Sequence, residues 1–254
     1  MTSNNNNQTP QDFQEEDYQI PYHHMPKIKD GAWYLGQSWF HGFEYLTLLD
    51  YLITKINKLE PNSILDFGCG DGRLITELIK NNSPGKIFGV DISQRALKFA
   101  NAFNSSDSIF YSSIEDLPVQ KFDLIIATEV LEHIEEKNIK KVISDIDKIM
   151  DDSGTFIITV PSIVRKPIPK KHYRHYDLEL LKNHLGESFK IEEISYLNKK
   201  TKFSNILRKM IHNRFFTTNL HSYNKFITTL YKKNCYFANQ KNGQNIALIL
   251  NKKS

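Results

Sequence analysis

Apolar residues follow two rhythms along this chain. From Ser63 onward, short apolar runs of strand length (SILDFG, KIFGVD, SIFYSS, KFDLIIAT and DSGTFIITVP) alternate with stretches of helical spacing at about Gly72 to Lys80, Ser93 to Phe103 and Asn138 to Met150. That alternation predicts a doubly wound α/β sheet whose strands are joined through helices. Asp177 is a suitable N-cap for a helix over LELLKNHL, and FKIEEISYL and QNIALIL predict the last two strands.

Three segments break the rhythm. Residues 1–17 are polar, then acidic, and lack aliphatic residues that could offset the entropy of ordering, so they predict a disordered tail. Residues 18–60 are dense in aromatic residues and histidine, and the apolar spacing from about Trp39 to Ile56 predicts a helix ending before Pro61. Between the core at 61–197 and the closing strand and tail at 244–254, residues 198–243 predict a basic helical cap built from NILRKMIHNRFF and SYNKFITTLYKKNCYF.

Charge sharpens the picture of that cap. No Asp or Glu follows Glu193, whereas 12 of the 33 Lys and Arg do, so residues 1–193 carry a net −8 although the whole chain carries +4. A basic tail on an acidic body suits an anionic partner such as a phosphorylated substrate, nucleic acid or membrane surface, and equally a solvated basic face. For the helical pair the readings are an interfacial element on anionic lipid, a lid over a large phosphorylated substrate, or packing on the domain or a second subunit. Length supports a single large core. Cys69 and Cys235, far apart, make no disulfide framework, and with neither a secretory signal nor a bilayer-length apolar run the expected location is cytoplasmic, with peripheral membrane contact through the cap as an option.

Candidate chemistry concentrates at two strand ends. In ILDFGCGDGRL a buried-strand pattern ends in Asp66 and closely spaced glycines before a helix, a turn that lets backbone N–H groups approach a ligand. Arg73 stands where a dinucleotide fingerprint wants Gly or Ala, which favours a ligand without a pyrophosphate. Asp91 ends the next apolar run at the separation where a carboxylate receives ribose hydroxyls. ILDFGCGDG resembles the first motif of the class I S-adenosylmethionine-dependent methyltransferases. The resemblance implies a Rossmann-like seven-stranded sheet with the cap inserted into its last hairpin, and S-adenosylmethionine as cofactor. It places Asp66 near the methionine amino group, Gly68 and Gly70 at the close approach, Asp91 and Ile92 at the ribose, Ser113 and Ile114 at the adenine, and Thr128 on the cofactor wall. It also makes Trp33, Tyr34, Trp39 and His41 candidate substrate-pocket residues.

IIATEVLEHIEE puts Glu129, Glu132 and His133 just past the fourth strand, where open α/β sheets keep their sites. If a helix starts there, these positions share a face and can hold a divalent cation such as Mg²⁺, Mn²⁺, Fe²⁺ or Zn²⁺. The E-x-x-E-H pattern with a later proline-containing loop and HYRHY resembles metal-dependent RNA 3′-terminal 2′-O-methyltransferases, which places a further metal histidine on His172. It is also similar to ubiquinone-biosynthesis O-methyltransferases and to methyltransferases of bacterial surface-glycan pathways. In other relatives the same Glu and His only pack or cap a helix. Together these resemblances imply methyl transfer to a hydroxyl of a glycan, lipid-linked or small-molecule acceptor, with metal ligands Glu129, Glu132, His133 and His172. His172 or His175, with Glu132, would act in catalysis, and Lys171 and Arg174 could meet substrate phosphate. The alternatives are RNA ribose 2′-O-methylation and a catalytically inactive cofactor-binding or membrane-associated scaffold; no DNA partner is expected.

Overall fold

The computed structural model describes residues 8–35, 42–82, 85–104, 108–118, 121–213 and 215–253. The candidate pocket residues Trp39 and His41 lie outside them. In chain order the elements are α1 (Pro10–Asp17), β1 (Lys27–Lys29), β2 (Ala32–Tyr34), α2 (Gly42–Leu59), β3 (Ser63–Phe67), α3 (Arg73–Lys80), β4 (Lys86–Val90), α4 (Gln94–Phe103) and β5 (Ser108–Tyr111). They continue as β6 (Phe122–Thr128), α5 (Glu136–Ile149), β7 (Met150–Pro161), α6 (Leu178–Leu185), β8 (Phe189–Lys199), α7 (Lys202–Ile211), α8 (His221–Cys235) and β9 (Gly243–Lys252).

The continuous apolar runs become a seven-stranded sheet of order β5-β4-β3-β6-β7-β9-β8, in which β9 alone runs against its neighbours. Strands buried on both faces require helices on both faces. On one side α2, α3, α7 and α8 bury Leu46, Leu49, Ile75, Leu78, Leu207 and Ile227; on the other α5 and α6 bury Ile139, Ile143, Ile146 and Leu181. The chain order reverses between β3 and β6, which opens a crevice beyond their carboxyl ends.

The N-terminus departs from its composition. Residues 10–17, read as part of a disordered tail, form α1, because Thr9 and Asp12 make a reciprocal capping box and Pro10 occupies the first turn. The Arg95 guanidinium donates to the Glu15 carbonyl (3.1 Å), and Lys171 pairs with Asp17 (2.6 Å), so α1 straps across the crevice.

The cap is built into the domain on its inner side. Tyr231 is buried against Phe43 and Trp33, at 4.6 and 5.7 Å between ring centroids, and the Trp33 backbone N–H donates to Thr228 Oγ1. Asn198, fully buried, donates to the Glu44 carbonyl and to Asn245 Oδ1 and accepts the Tyr231 hydroxyl. Trp33 and Tyr34 are therefore corrected from pocket to scaffold: Trp33 fills the core under the cap, and the Tyr34 hydroxyl shares a hydrogen bond with His221 Nδ1 (2.8 Å).

A cofactor turn and a cation cluster in one crevice

The turn after β3 takes three positive-φ glycines, and at Gly68 an added Cβ would stand 2.5 Å from Val130, so close approach excludes any side chain. Gly68 and Cys69 donate their N–H groups to the Val90 carbonyl, which pins the turn beside β4. The Gly70 N–H donates to Asp91 Oδ2 and the Ser93 N–H to Asp91 Oδ1, each at 2.8 Å. Both Asp91 oxygens are thereby oriented while each keeps a lone pair for a ligand. Burial, reinforced by the Asp91 charge, pushes the Asp66 carboxyl up to about 7.

Asp66, Gly68, Cys69, Asp91 and Ser93 line a cavity of about 1070 Å³ that also reaches Thr128, Glu132, His133 and His172, whereas Gly70 lies behind the wall against Tyr18 and His23. Ile92 lies on its wall and is 70% exposed. The Thr128 hydroxyl, buried, lacks a partner among the described residues. Ser113 and Ile114 lie off this cavity wall: Ser113 caps a short helical turn through the Glu115 N–H, and Ile114 packs toward the core. The sequence misses the aromatic wall given by Tyr18, Tyr22, His23, Tyr45 and Tyr173. His23 is anchored by its N–H and Nδ1 to the buried Asp71 carboxylate, both at 3.1 Å.

The second strand end does not start a helix. Glu129 takes φ 54°, and Leu131–His133 form a single tight turn before α5. The spacing argument that grouped Glu129 with Glu132 and His133 is therefore corrected. Glu129 Oε2 accepts from Arg165 and from Asn245, each at 3.1 Å, and Oε1 from the Thr159 hydroxyl at 3.4 Å, so its carboxylate is committed to protein donors.

Glu132, His133 and His172 offer ligand atoms that all lie within 4.8 Å of one another. Glu132 is fully buried, and neither of its carboxylate oxygens has a hydrogen-bond partner among the described residues. Such an arrangement costs stability unless a cation or a proton occupies it. Burial, then the neighbouring Glu129 charge, pushes the Glu132 carboxyl well above the carboxylate range.

Hydrogen bonds fix the imidazoles for coordination. A carbonyl only accepts, so His175 Nδ1 donates to the Arg165 carbonyl (2.6 Å) and leaves its Nε2 as an acceptor. His172 Nδ1, 3.0 Å away, then donates to that Nε2, and His172 Nε2 keeps a lone pair. His133 Nδ1 donates to the Lys171 carbonyl (2.9 Å), which leaves its Nε2 free as well. Burial holds both rings neutral by lowering His133 to about 4 and His172 to about 2. Buried carboxylate oxygens without partners and two neutral imidazoles with outward lone pairs fit a divalent transition cation.

His175, read as a candidate base, is corrected to a positioning residue, since both ring nitrogens are engaged behind His172. His175→Ala is expected to weaken metal affinity by about 10–100-fold, and His175→Gln, which keeps an acceptor, to recover part of it. Competition against a chelating fluorophore measures this; unchanged affinity in His175→Ala would refute the relay. Arg174 and Lys171 are engaged too, with Arg174 donating to the Leu131 and Ile134 carbonyls and pairing with Glu136.

A strand-end glycine turn, an acid just past the next strand and a crevice at the sheet's reversal fit the Rossmann-like S-adenosylmethionine-dependent methyltransferases. A methyltransferase domain model matches residues 60–210, and the chain belongs to that family.

An uncharacterised protein of Methanocaldococcus jannaschii is 25% identical over 178 residues, covering 68% of this chain and 63% of its own length. A ubiquinone biosynthesis O-methyltransferase of Rickettsia canadensis is 29% identical over 127 residues, 46% of this chain and 52% of that protein. The chain thus spans between about half and 63% of the length of these curated relatives. Among solved structures, the magnesium protoporphyrin IX methyltransferase of Synechocystis superposes with a TM-score of 0.58 at 16% identity, covering 99% of this chain and 100% of the other. The small RNA methyltransferase HEN1 gives 0.57 at 16% identity over 82% of this chain and 25% of the other. At such identity these two establish the fold alone.

Proposed function

We propose that the protein transfers a methyl group from S-adenosylmethionine to a hydroxyl oxygen of a lipid-linked, glycan or small-molecule acceptor, with a divalent cation held by Glu132, His133 and His172. One observation carries this reading: a single cavity joins Asp66, Gly68 and Asp91 at one end to the three ligand atoms at the other. Its volume exceeds the roughly 300–1,000 Å³ of ordinary small-molecule sites, which leaves room for an acceptor beside the cofactor. The ubiquinone biosynthesis O-methyltransferases matched over the core support the choice of oxygen.

In this reading Asp66 receives the cofactor's ammonium group and Asp91 its ribose hydroxyls, and both line the same cavity. A cation held by Glu132, His133 and His172 would supply Lewis acidity that lowers an acceptor hydroxyl's pKa. Glu132 contributes the negative charge that favours the cation, while the relay through His175 keeps the His172 lone pair turned to it. The aromatic wall excludes water, and the oriented side chains align the acceptor.

The test is methyl-labelled cofactor offered with phenols, sugars, nucleotide sugars, polyprenyl-linked hydroxyls and short RNAs, with and without Mn²⁺ or Zn²⁺. Label should enter a hydroxyl, stop in chelator and resume on adding metal. Transfer confined to RNA 3′ ends would replace the acceptor class, and cofactor retention with no acceptor labelled would overturn the enzymatic reading.

A further inference from the structure

The outer face of the cap carries a second feature, separate from the crevice. α7 and α8 each bury one side, through Leu207 and Ile211 and through Ile227 and Tyr231. Beside these buried stripes Phe203 and Ile206, and Tyr223 and Phe226, stay exposed at a matching i, i+3 spacing. The Tyr223 hydroxyl donates to the Met210 carbonyl (3.3 Å) and so brings the start of α8 against the end of α7. Phe216 and Leu220, in the segment that connects the two helices, are exposed as well, and the six side chains are 36–72% exposed.

Exposed Lys202, Lys209, Lys225 and Lys233 flank these side chains, and no acid occurs after Glu193 to neutralise them. Arg208 and Lys232, by contrast, reach inward to Glu44 and Asp50. Ion pairing thus fixes the cap to the domain while its outer lysines stay in solvent.

We propose that this face docks on an anionic lipid bilayer. A patch both apolar and uniformly cationic needs a partner that accepts aromatic side chains and supplies negative charge over a wide area, which an anionic headgroup layer above acyl chains does. A second copy docked through the same face would set lysine against lysine, a repulsive juxtaposition. Among the described residues no helix is long and apolar enough to cross a membrane, so the contact is peripheral. Docking needs neither cofactor nor cation and stands apart from the proposed methyl transfer.

The full chain is mixed with vesicles of phosphatidylcholine alone or with about a third phosphatidylglycerol, and bound protein is measured by flotation at low and high salt. Binding should require the anionic lipid and fall steeply with salt, because each lysine near the surface contributes about fivefold to partitioning. Phe216→Ser combined with Phe226→Ser should lower partitioning at least about tenfold, and Lys209→Glu with Lys225→Glu should abolish it, with circular dichroism and cofactor affinity unchanged in both. Equal binding to neutral vesicles, or full binding by either double variant, would overturn the proposal. So would a dimer, or an RNA complex, that depends on these residues in a protein that ignores vesicles.

Discussion

Glu132→Ala is expected to abolish tight metal uptake and to lower turnover about 10³-fold while the apoprotein keeps or gains thermal stability. A cation at such a site contributes several kcal/mol to the transition state, and each 1.36 kcal/mol is tenfold in rate. The stability change has the opposite sign because both Glu132 oxygens are buried without partners. Removing an unsatisfied acid removes a desolvation penalty rather than an interaction. A residue that merely packed the turn would, when truncated, cost stability and leave metal affinity alone. Metal binding should also strengthen with rising pH, since the cation must displace the proton that burial and Glu129 keep on Glu132. Calorimetry with Mn²⁺ or Zn²⁺, a melting curve and turnover in chelator measure all three, and full activity in chelator would eliminate the metal from the reaction.

The sheet and the cofactor turn are readable in sequence because their signals are local. SILDFG and KIFGVD are buried strands by composition, and glycines at 68, 70 and 72 occupy backbone that disfavours side chains. Glu129 is not readable in this way. Its φ of 54° is uncommon for a side chain of its kind, and it is imposed by strand β7 and by Arg165 and Asn245, which are distant in sequence. The role of His175 depends on one carbonyl, that of Arg165, being turned toward it by the loop after β7. For α1 the signal was present in Thr9-Pro10-Gln11-Asp12, a capping pattern outweighed by the polar composition around it. Trp33 and Tyr34 read as pocket residues because aromatic density does not say which surface a side chain covers. That surface is the cap, whose existence is legible as an insertion and whose inner face is set by contacts with α2 and β2.

Cofactor affinity is expected to fall about tenfold for each pH unit below 7, and Asp66→Asn to remove that dependence together with about 30-fold or more of affinity. An ammonium group binds a carboxylate and not a carboxylic acid. In the free protein burial and the Asp91 charge raise the Asp66 carboxyl from 3.8 to about 7, so below that pH cofactor binding must expel a proton. Folding of the free protein follows the complementary rule: the folded state holds the Asp66 proton more tightly than the unfolded chain, so the contribution of Asp66 to stability falls as pH rises from 3.8 to about 7 and then levels. The cofactor reverses that trend, and its stabilising effect should peak between about pH 7 and 8, above which its own amino group, with the ordinary α-amino pKa of about 8, loses the charge that Asp66 binds. Titration calorimetry in two buffers of different ionisation enthalpy should detect about one proton released per cofactor at pH 6 and almost none at about pH 7.5, where Asp66 and the cofactor's amino group are both largely charged. Affinity flat across this range, with no proton released, would mean that Asp66 does not face the ammonium group, and the cofactor's orientation in the crevice would have to be reversed.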